Sequence, residues 1–101
     1  RISGRVIAAA RALSGVSQAD FASAAGITTG ALQALERAGS AWVSAENAAA
    51  VHRSLEHYGV IVLEEADGLG AGVRLKFTRQ DVRQIVRLEG EGGIVASDDA
   101  P

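Results

Sequence analysis

The stretch SQADFASAAGITTGALQALE, residues 17–36, constrains the fold more than any other part of the chain. Eight of its twenty residues are alanine or glycine, and it holds no lysine, arginine, histidine or cysteine. Ser17 and Thr28 are N-cap residue types. Phe21, Ala22 and Ala25 share one helical face, and Gly26 follows as the residue best able to reverse the chain at positive φ. The spacing therefore predicts two short helices joined by a tight turn. Helices so joined cross steeply and approach closely only where their contact residues are small, which accounts for the alanines at 22 and 25 and the glycine at 26. Ile27 is expected to fill the core beneath the turn. Ala31, Leu32 and Leu35 form the inner stripe of the second helix. Its first turn is left outside, with unpaired N–H groups and the positive end of the helix dipole turned outward. Such an end suits phosphates and base edges.

Either side of this pair the pattern is also helical. Ile2, Val6, Ala9, Ala10 and Leu13 recur at helical spacing, with Ser3 as N-cap and Gly15 as stop. Residues 40–43 read as a loop holding the single tryptophan, Trp42. Ser44 caps a further helix with Ala48, Val51, Leu55 and Tyr58 on one face and Gly59 at its end. The period then changes. Val60 to Leu63 is a short run rich in β-branched residues, residues 66–72 read ADGLGAG, and Val73, Leu75 and Phe77 alternate with Arg74 and Lys76. A β-hairpin with a glycine-rich connection follows from this. Thr78 and Asp81 resemble a capping pair for a last helix carrying Val82, Ile85, Val86 and Glu89. The expected architecture is mainly α: a four- to five-helix domain over 1–59, a hairpin and helix over 60–89, and an acidic, aperiodic tail over 90–101.

Charge and composition narrow the function. The chain has 101 residues and no cysteine, so a disulfide framework, a thiolate metal site and a cysteine nucleophile are all excluded. The net charge of −2 argues against a partner that is strongly acidic, but the acidity is local. Residues 89–101 carry four acids and no base, leaving ten bases against eight acids in the other 88 residues. The longest strongly apolar run is Val60 to Leu63, far short of a membrane span. A soluble cytoplasmic protein is expected.

Together, SQADFASAAGITTGALQALERAG resembles the helix-turn-helix of the phage-repressor-like (Cro/repressor, XRE) transcription regulators. The marks are Gln18 at the start of the first helix of the pair, Ala22, Gly26, Ile27, Thr28, Leu32, Leu35 and Glu36. The resemblance implies a bacterial regulator of double-stranded DNA, with the recognition helix at 28–38 in the major groove. It implies that Thr29, Gly30, Gln33 and Ala34 face base edges, and that Gln18, Thr28, Arg37 and Ser40 meet phosphates. It also implies a structural ion pair between Arg11 and Glu36. Gly30, Ala31 and Ala34 stand where relatives often carry longer polar side chains, so only Thr29 and Gln33 keep useful donors and acceptors. Direct base readout is then thin, and specificity leans on thymine methyls, DNA shape or a second regulatory protein.

Nothing in the pattern reads as an enzyme or calls for a cofactor. His52 and His57 are five apart and on different helical faces, with no further ligand to complete a metal site. The glycines of GLGAG run from strand to strand, unlike a dinucleotide loop. A lone hairpin is marginal in water, so the strands and last helix are expected to build a homodimer interface from Val60, Val62, Val73, Leu75, Phe77, Val82 and Ile85. The reading is a homodimeric repressor. Its alternative is a protein-interaction module, antitoxin-like or polymerase-associated, on the same scaffold.

Overall fold

A computed structural model describes residues 1–78. Four helices come first: α1 (Gly4–Ser14), α2 (Gln18–Ala25), α3 (Thr29–Arg37) and α4 (Ala45–His57). Two strands follow, β1 (Val60–Leu63) and β2 (Gly72–Leu75), paired antiparallel. Each helix starts at a hydroxyl cap. The side chains of Ser3, Ser17, Thr28 and Ser44 accept from the backbone N–H three residues on, at 3.3, 3.1, 3.0 and 3.1 Å. Gly26 ends α2 at φ 76°, a left-handed conformation that turns the chain into α3 without a Cβ penalty.

The core lies between α1, α2, α3 and α4. Ile2, Ile7, Ala10, Phe21, Ala22, Leu32, Val51, Leu55 and Val60 are buried together in it. Phe21 is the largest fully buried side chain, and α4 closes over it from above. Two side chains of α4 and that of its C-cap residue, Tyr58, hydrogen-bond to carbonyls of α2. Ser54 Oγ donates to Phe21 O at 2.9 Å, Arg53 Nη2 to Ala25 O at 2.8 Å, and Tyr58 Oη to Asp20 O at 3.3 Å. The Ser54 hydroxyl is fully buried, so its bond removes a donor that would otherwise be orphaned.

The first helix is capped by Ser3 and stopped by Gly15 as the sequence suggests, but its inner face differs: the buried line along it is Gly4, Ile7 and Ala10, whereas Ala9 and Leu13 are exposed. Ile2 is buried, but from an extended segment that precedes the helix. That segment pairs with the α3–α4 loop: Val43 N–H donates to Ile2 O at 2.9 Å, and Ser3 bridges Trp42. The apolar spacing of 2, 6, 9, 10 and 13 thus mixes an extended anchor with one edge of the helix. Gly4 decides which face turns inward, because it alone can sit against the backbone of α3.

The hairpin register pairs Val60 with Leu75, Ile61 with Arg74, Val62 with Val73 and Leu63 with Gly72. Alternation sends Val60, Val62, Val73 and Leu75 inward against the helical core. Ile61 and Leu63 point outward, 43% and 44% exposed. The connection folds into a tight turn in which Ala66 and Leu69 exchange backbone hydrogen bonds around Asp67 (φ 55°) and Gly68 (φ 78°). Asp-Gly is the pair favoured for this mirror-image turn, whose twist matches that of the strands. Phe77 lies past the end of β2, beside Gly59. The expected last helix, with Val82 and Ile85, lies outside the described residues.

Candidate nucleic-acid interface

α3 is nine residues long and presents two unlike faces. Leu32 is fully buried, and Leu35 packs against the core from its edge. Opposite them Gly30, Ala31, Ala34 and Arg37 are exposed, while Thr29 and Gln33 are half-buried at the boundary. The Thr28 cap satisfies Ala31 N–H through its side chain and Leu32 N–H through its carbonyl. The N–H groups of Thr29 and Gly30 have no acceptor among the described residues and remain as donors at the positive end of the helix. A Cβ built on Gly30 would meet nothing within 4 Å. The leading end of α3 is therefore bare in space as well as in sequence.

What fixes this helix is polar and lies at its other edge. Arg11 of α1 reaches Glu36 twice, Nε to Oε2 at 2.6 Å and Nη2 to Oε1 at 2.9 Å, and its Nη1 donates to Val16 O at 3.1 Å. The Glu36 side chain is only 9% exposed and that of Arg11 22%. The hydrogen bond to Glu36, helped by its charge and opposed by burial, holds the Arg11 guanidinium above its ordinary range. A raised folded-state value for a base contributes stability below the unfolded value and loses it only as pH rises through the folded value, so at neutral pH the Arg11 contribution is present. Glu36 Oε1 also accepts from Gln18 Nε2 at 3.2 Å, and Gln18 Oε1 accepts from Gln33 Nε2 at 3.2 Å. One continuous set of hydrogen bonds thus joins α1, the α1–α2 turn, α2 and α3.

The C-terminal end of α3 is held by backbone contact. The ideal Cβ position of Gly4 lies 2.0 Å from Leu35 O and 3.1 Å from Glu36 Cα, so only glycine permits this approach. Arg5 N–H donates to Gly39 O at 2.9 Å. Arg37 and Ser40 are exposed beyond it, Arg5 is exposed alongside, and Arg1 stacks its guanidinium 5.3 Å from the centre of the half-exposed Trp42 ring.

Set against the sequence reading, Thr28, Thr29, Gly30, Gln33, Ala34 and Arg37 lie along the outward side of one helix, with Ser40 just past its end. Gln18 stands behind Gln33, with both ends of its amide engaged. Val60, by contrast, is buried, and Val62, Val73 and Leu75 pack on the chain's own core. Their assignment to a dimer interface is therefore revised. The inward alternation of the strands uses them within one chain and leaves Ile61, Leu63, Leu69 and Phe77 as the exposed apolar side chains of the hairpin. Gly4 and the Gln18–Gln33 bond escaped the sequence reading. Glu36 and Gln33 are three apart on one helix face, which was a signal for the bond; the close approach at Gly4 left no signal in periodicity.

Among the described residues no group of three or more histidine, aspartate or glutamate side chains could hold a metal ion, and no helix is long and apolar enough to cross a membrane. A family model described as Helix-turn-helix matches residues 7–56, from within α1 to the last turn of α4. No curated protein and no solved structure matches the chain.

Proposed function

Because the chain belongs to the Cro/repressor-like (XRE) family of helix-turn-helix regulators, which bind double-stranded DNA, we propose that it is a sequence-specific repressor acting as a homodimer. In this reading the recognition helix α3 lies in the major groove. Thr29, Gly30, Gln33 and Ala34 face the bases, and Gln18, Thr28, Arg37 and Ser40 meet the backbone. The observation that carries it is the two-faced character of α3. Its outer side holds small residues, two half-buried polar side chains, two free N–H groups and one exposed arginine, with no acidic side chain turned outward. The small residues let the helix backbone come close to base edges, and the free N–H groups attract phosphate.

Dimerisation in this reading uses the outer hairpin face, Ile61 and Leu63, with Leu69 and Phe77 beside it. A two-fold arrangement sets two copies of α3 about one DNA turn apart, which predicts a pseudo-palindromic site. The protein is then a cytoplasmic regulator without a cofactor, and its thin base readout leaves room for DNA shape or a second protein in choosing sites. The same exposed apolar side chains favour a second reading, in which the scaffold binds a protein partner such as a toxin or a polymerase subunit.

Footprinting on genomic fragments at low and raised salt separates the two. A repressor protects discrete, symmetric sites and loses affinity as salt displaces it from phosphate. A partner-binding module protects none. Within the DNA reading, Gln33→Ala alters sequence preference, whereas Arg37→Ala weakens binding to all sequences alike. Equal losses on specific and random DNA from Gln33→Ala would contradict the role given to Gln33.

A further inference from the structure

The corner where α4 turns into β1 holds a cavity of about 350 Å³. Gly59 shapes it: its φ of 68° sends the chain back from the helix into the strand, and the Phe77 ring lies beside it from past the end of β2. Part of the lining is apolar. Leu55 and Val60 are 2% and 7% exposed, and the outward Ile61 stands with them. The rest is ionisable, with His52 and Glu56 from α4 and Lys76 from past β2, all three exposed. Glu56 and Lys76 carry opposite charges, yet they pair neither with each other nor with another charged group among the described residues. Lys76 Nζ lies against the Phe77 ring, 5.6 Å from its centre.

The strand register adds backbone groups to the same wall. Lys76 N–H donates to Gly59 O at 2.7 Å while Val60 stands opposite Leu75, so Val60 and Leu75 are a non-hydrogen-bonded pair. The N–H and C=O of Val60 therefore turn away from β2, and they have no partner among the described residues although Val60 is buried. Buried main-chain groups are almost always paired, so an unpaired donor and acceptor in a residue that lines a cavity mark a place for a polar guest.

We propose that this corner binds a free amino acid with an apolar side chain. The Lys76 ammonium meets its carboxylate, the Glu56 carboxylate meets its ammonium, and its side chain lies on Leu55, Val60 and Ile61. The zwitterion satisfies two opposite charges that share a cavity without meeting, which a singly charged or purely apolar ligand does not. A nucleotide or other phosphate ligand is disfavoured, because one lysine faces it together with a glutamate. The volume is at the low end for small-molecule sites and suits one small metabolite. The site lies on the α4–hairpin side of the fold, away from the outer face of α3, and stands independently of the DNA-binding reading.

The test titrates the full chain, labelled with 15N, and follows its backbone amides by NMR. L-Leucine and L-phenylalanine are expected to give saturable shifts at Leu55, Glu56, Gly59, Val60, Ile61 and Lys76, and glycine none. L-Leucine amide, which lacks the negative charge, and N-acetyl-L-leucine, which lacks the positive one, are each expected to bind about fivefold more weakly, the contribution of one exposed ion pair. Lys76→Met lowers leucine affinity by the same factor and removes the preference over leucine amide. Glu56→Gln removes the preference over N-acetyl-leucine. Both side chains are exposed, so the fold is retained, and an unchanged Tm verifies it.

No saturable shifts at about 10 mM leucine or phenylalanine, enough to fill a site with a Kd of about 1 mM, overturn the site. Equal affinity for leucine and its two blocked forms overturns the zwitterion and leaves an apolar cleft. Leucine shifts that are unchanged in both Lys76→Met and Glu56→Gln overturn the assignment of the two charges.

Discussion

Gly4 and Gly30 make a paired test of how α3 is held, since both are helical glycines and their surroundings are opposite. At Gly4, a methyl group would begin 2.0 Å from Leu35 O. Relieving that contact to about 3.3 Å, the closest ordinary carbon–oxygen approach, requires the start of α1 to move from α3 by roughly 1.3 Å. A shift of this size breaks the 2.9 Å bond from Arg5 N–H to Gly39 O and strains the 2.9 Å bond from Val43 N–H to Ile2 O. Overpacking costs about 1–3 kcal/mol and each lost backbone bond about 0.5–1.5 kcal/mol. Replacing a helical glycine returns at most about 1 kcal/mol. The net expectation for Gly4→Ala is a loss of about 3 kcal/mol. In a domain of this size that corresponds to a fall of about 12–24 °C in Tm, read by circular dichroism on heating and checked by urea unfolding. At Gly30 the same methyl enters open space, so Gly30→Ala stabilises the free protein by about 0.5 kcal/mol while placing bulk between α3 and the groove, which weakens DNA binding. A Gly4→Ala protein that melts at or above the wild-type temperature would refute the close approach of α1 to α3 and the account of how α3 is seated.

Three further outcomes follow from the structure. Ser54→Ala removes the buried donor to Phe21 O, and the loss of this one hydrogen bond is about 1 kcal/mol, visible as a Tm lower by about 4–8 °C. The double change Ile61→Thr and Leu63→Thr, at side chains 43% and 44% exposed, leaves the Tm of the monomeric fold within a few degrees but shifts sedimentation at tens of micromolar from dimer to monomer; an unchanged dimer rules out the outer hairpin face as the interface. Arg37 and Arg5 are the exposed cations nearest the end of α3, so the slope of log K against log salt is expected near −2 per protomer on about −0.9 per phosphate contact, and a slope steeper than about −5 would place the main DNA-binding surface elsewhere.

The elements legible in the sequence are those whose signals are local. Ser17, Thr28 and Ser44 mark helix starts because capping needs only a hydroxyl and an N–H three residues away. Gly26 marks a turn because a positive φ is a property of one residue. The hairpin was legible by alternation, but not the use of its inner face. A run such as Val60 to Leu63 is apolar at every position, so period alone cannot say whether a residue meets its own core or another chain. Only the register, with Val62 opposite Val73 and Ile61 opposite Arg74, sorts the two faces. The inner face of α1 is hard to read from period for a related reason. Ile2 is as apolar as any helical core residue, yet its burial comes from pairing of an extended segment with Val43, a contact 41 residues away in sequence.

The same distinction explains why the site looked so plain. A chain can be read for what each residue carries, and α3 carries little. The constraint on α3 is supplied from outside it: Gly4 by having no side chain, Arg11 by a guanidinium that reaches across from α1, and Gln18 by an amide whose two ends face different neighbours. None of these departs from ordinary helix composition, and none lies within ten residues of Gln33 in sequence. A recognition helix with long polar side chains must hold them still one by one, each against its own rotamer freedom. A helix with few such side chains can remain precise if its neighbours hold the ones it has. The bareness of α3 and the density of hydrogen bonds behind it are therefore two sides of one arrangement, in which Arg11→Met is expected to disturb base preference without touching a single residue on the outer face.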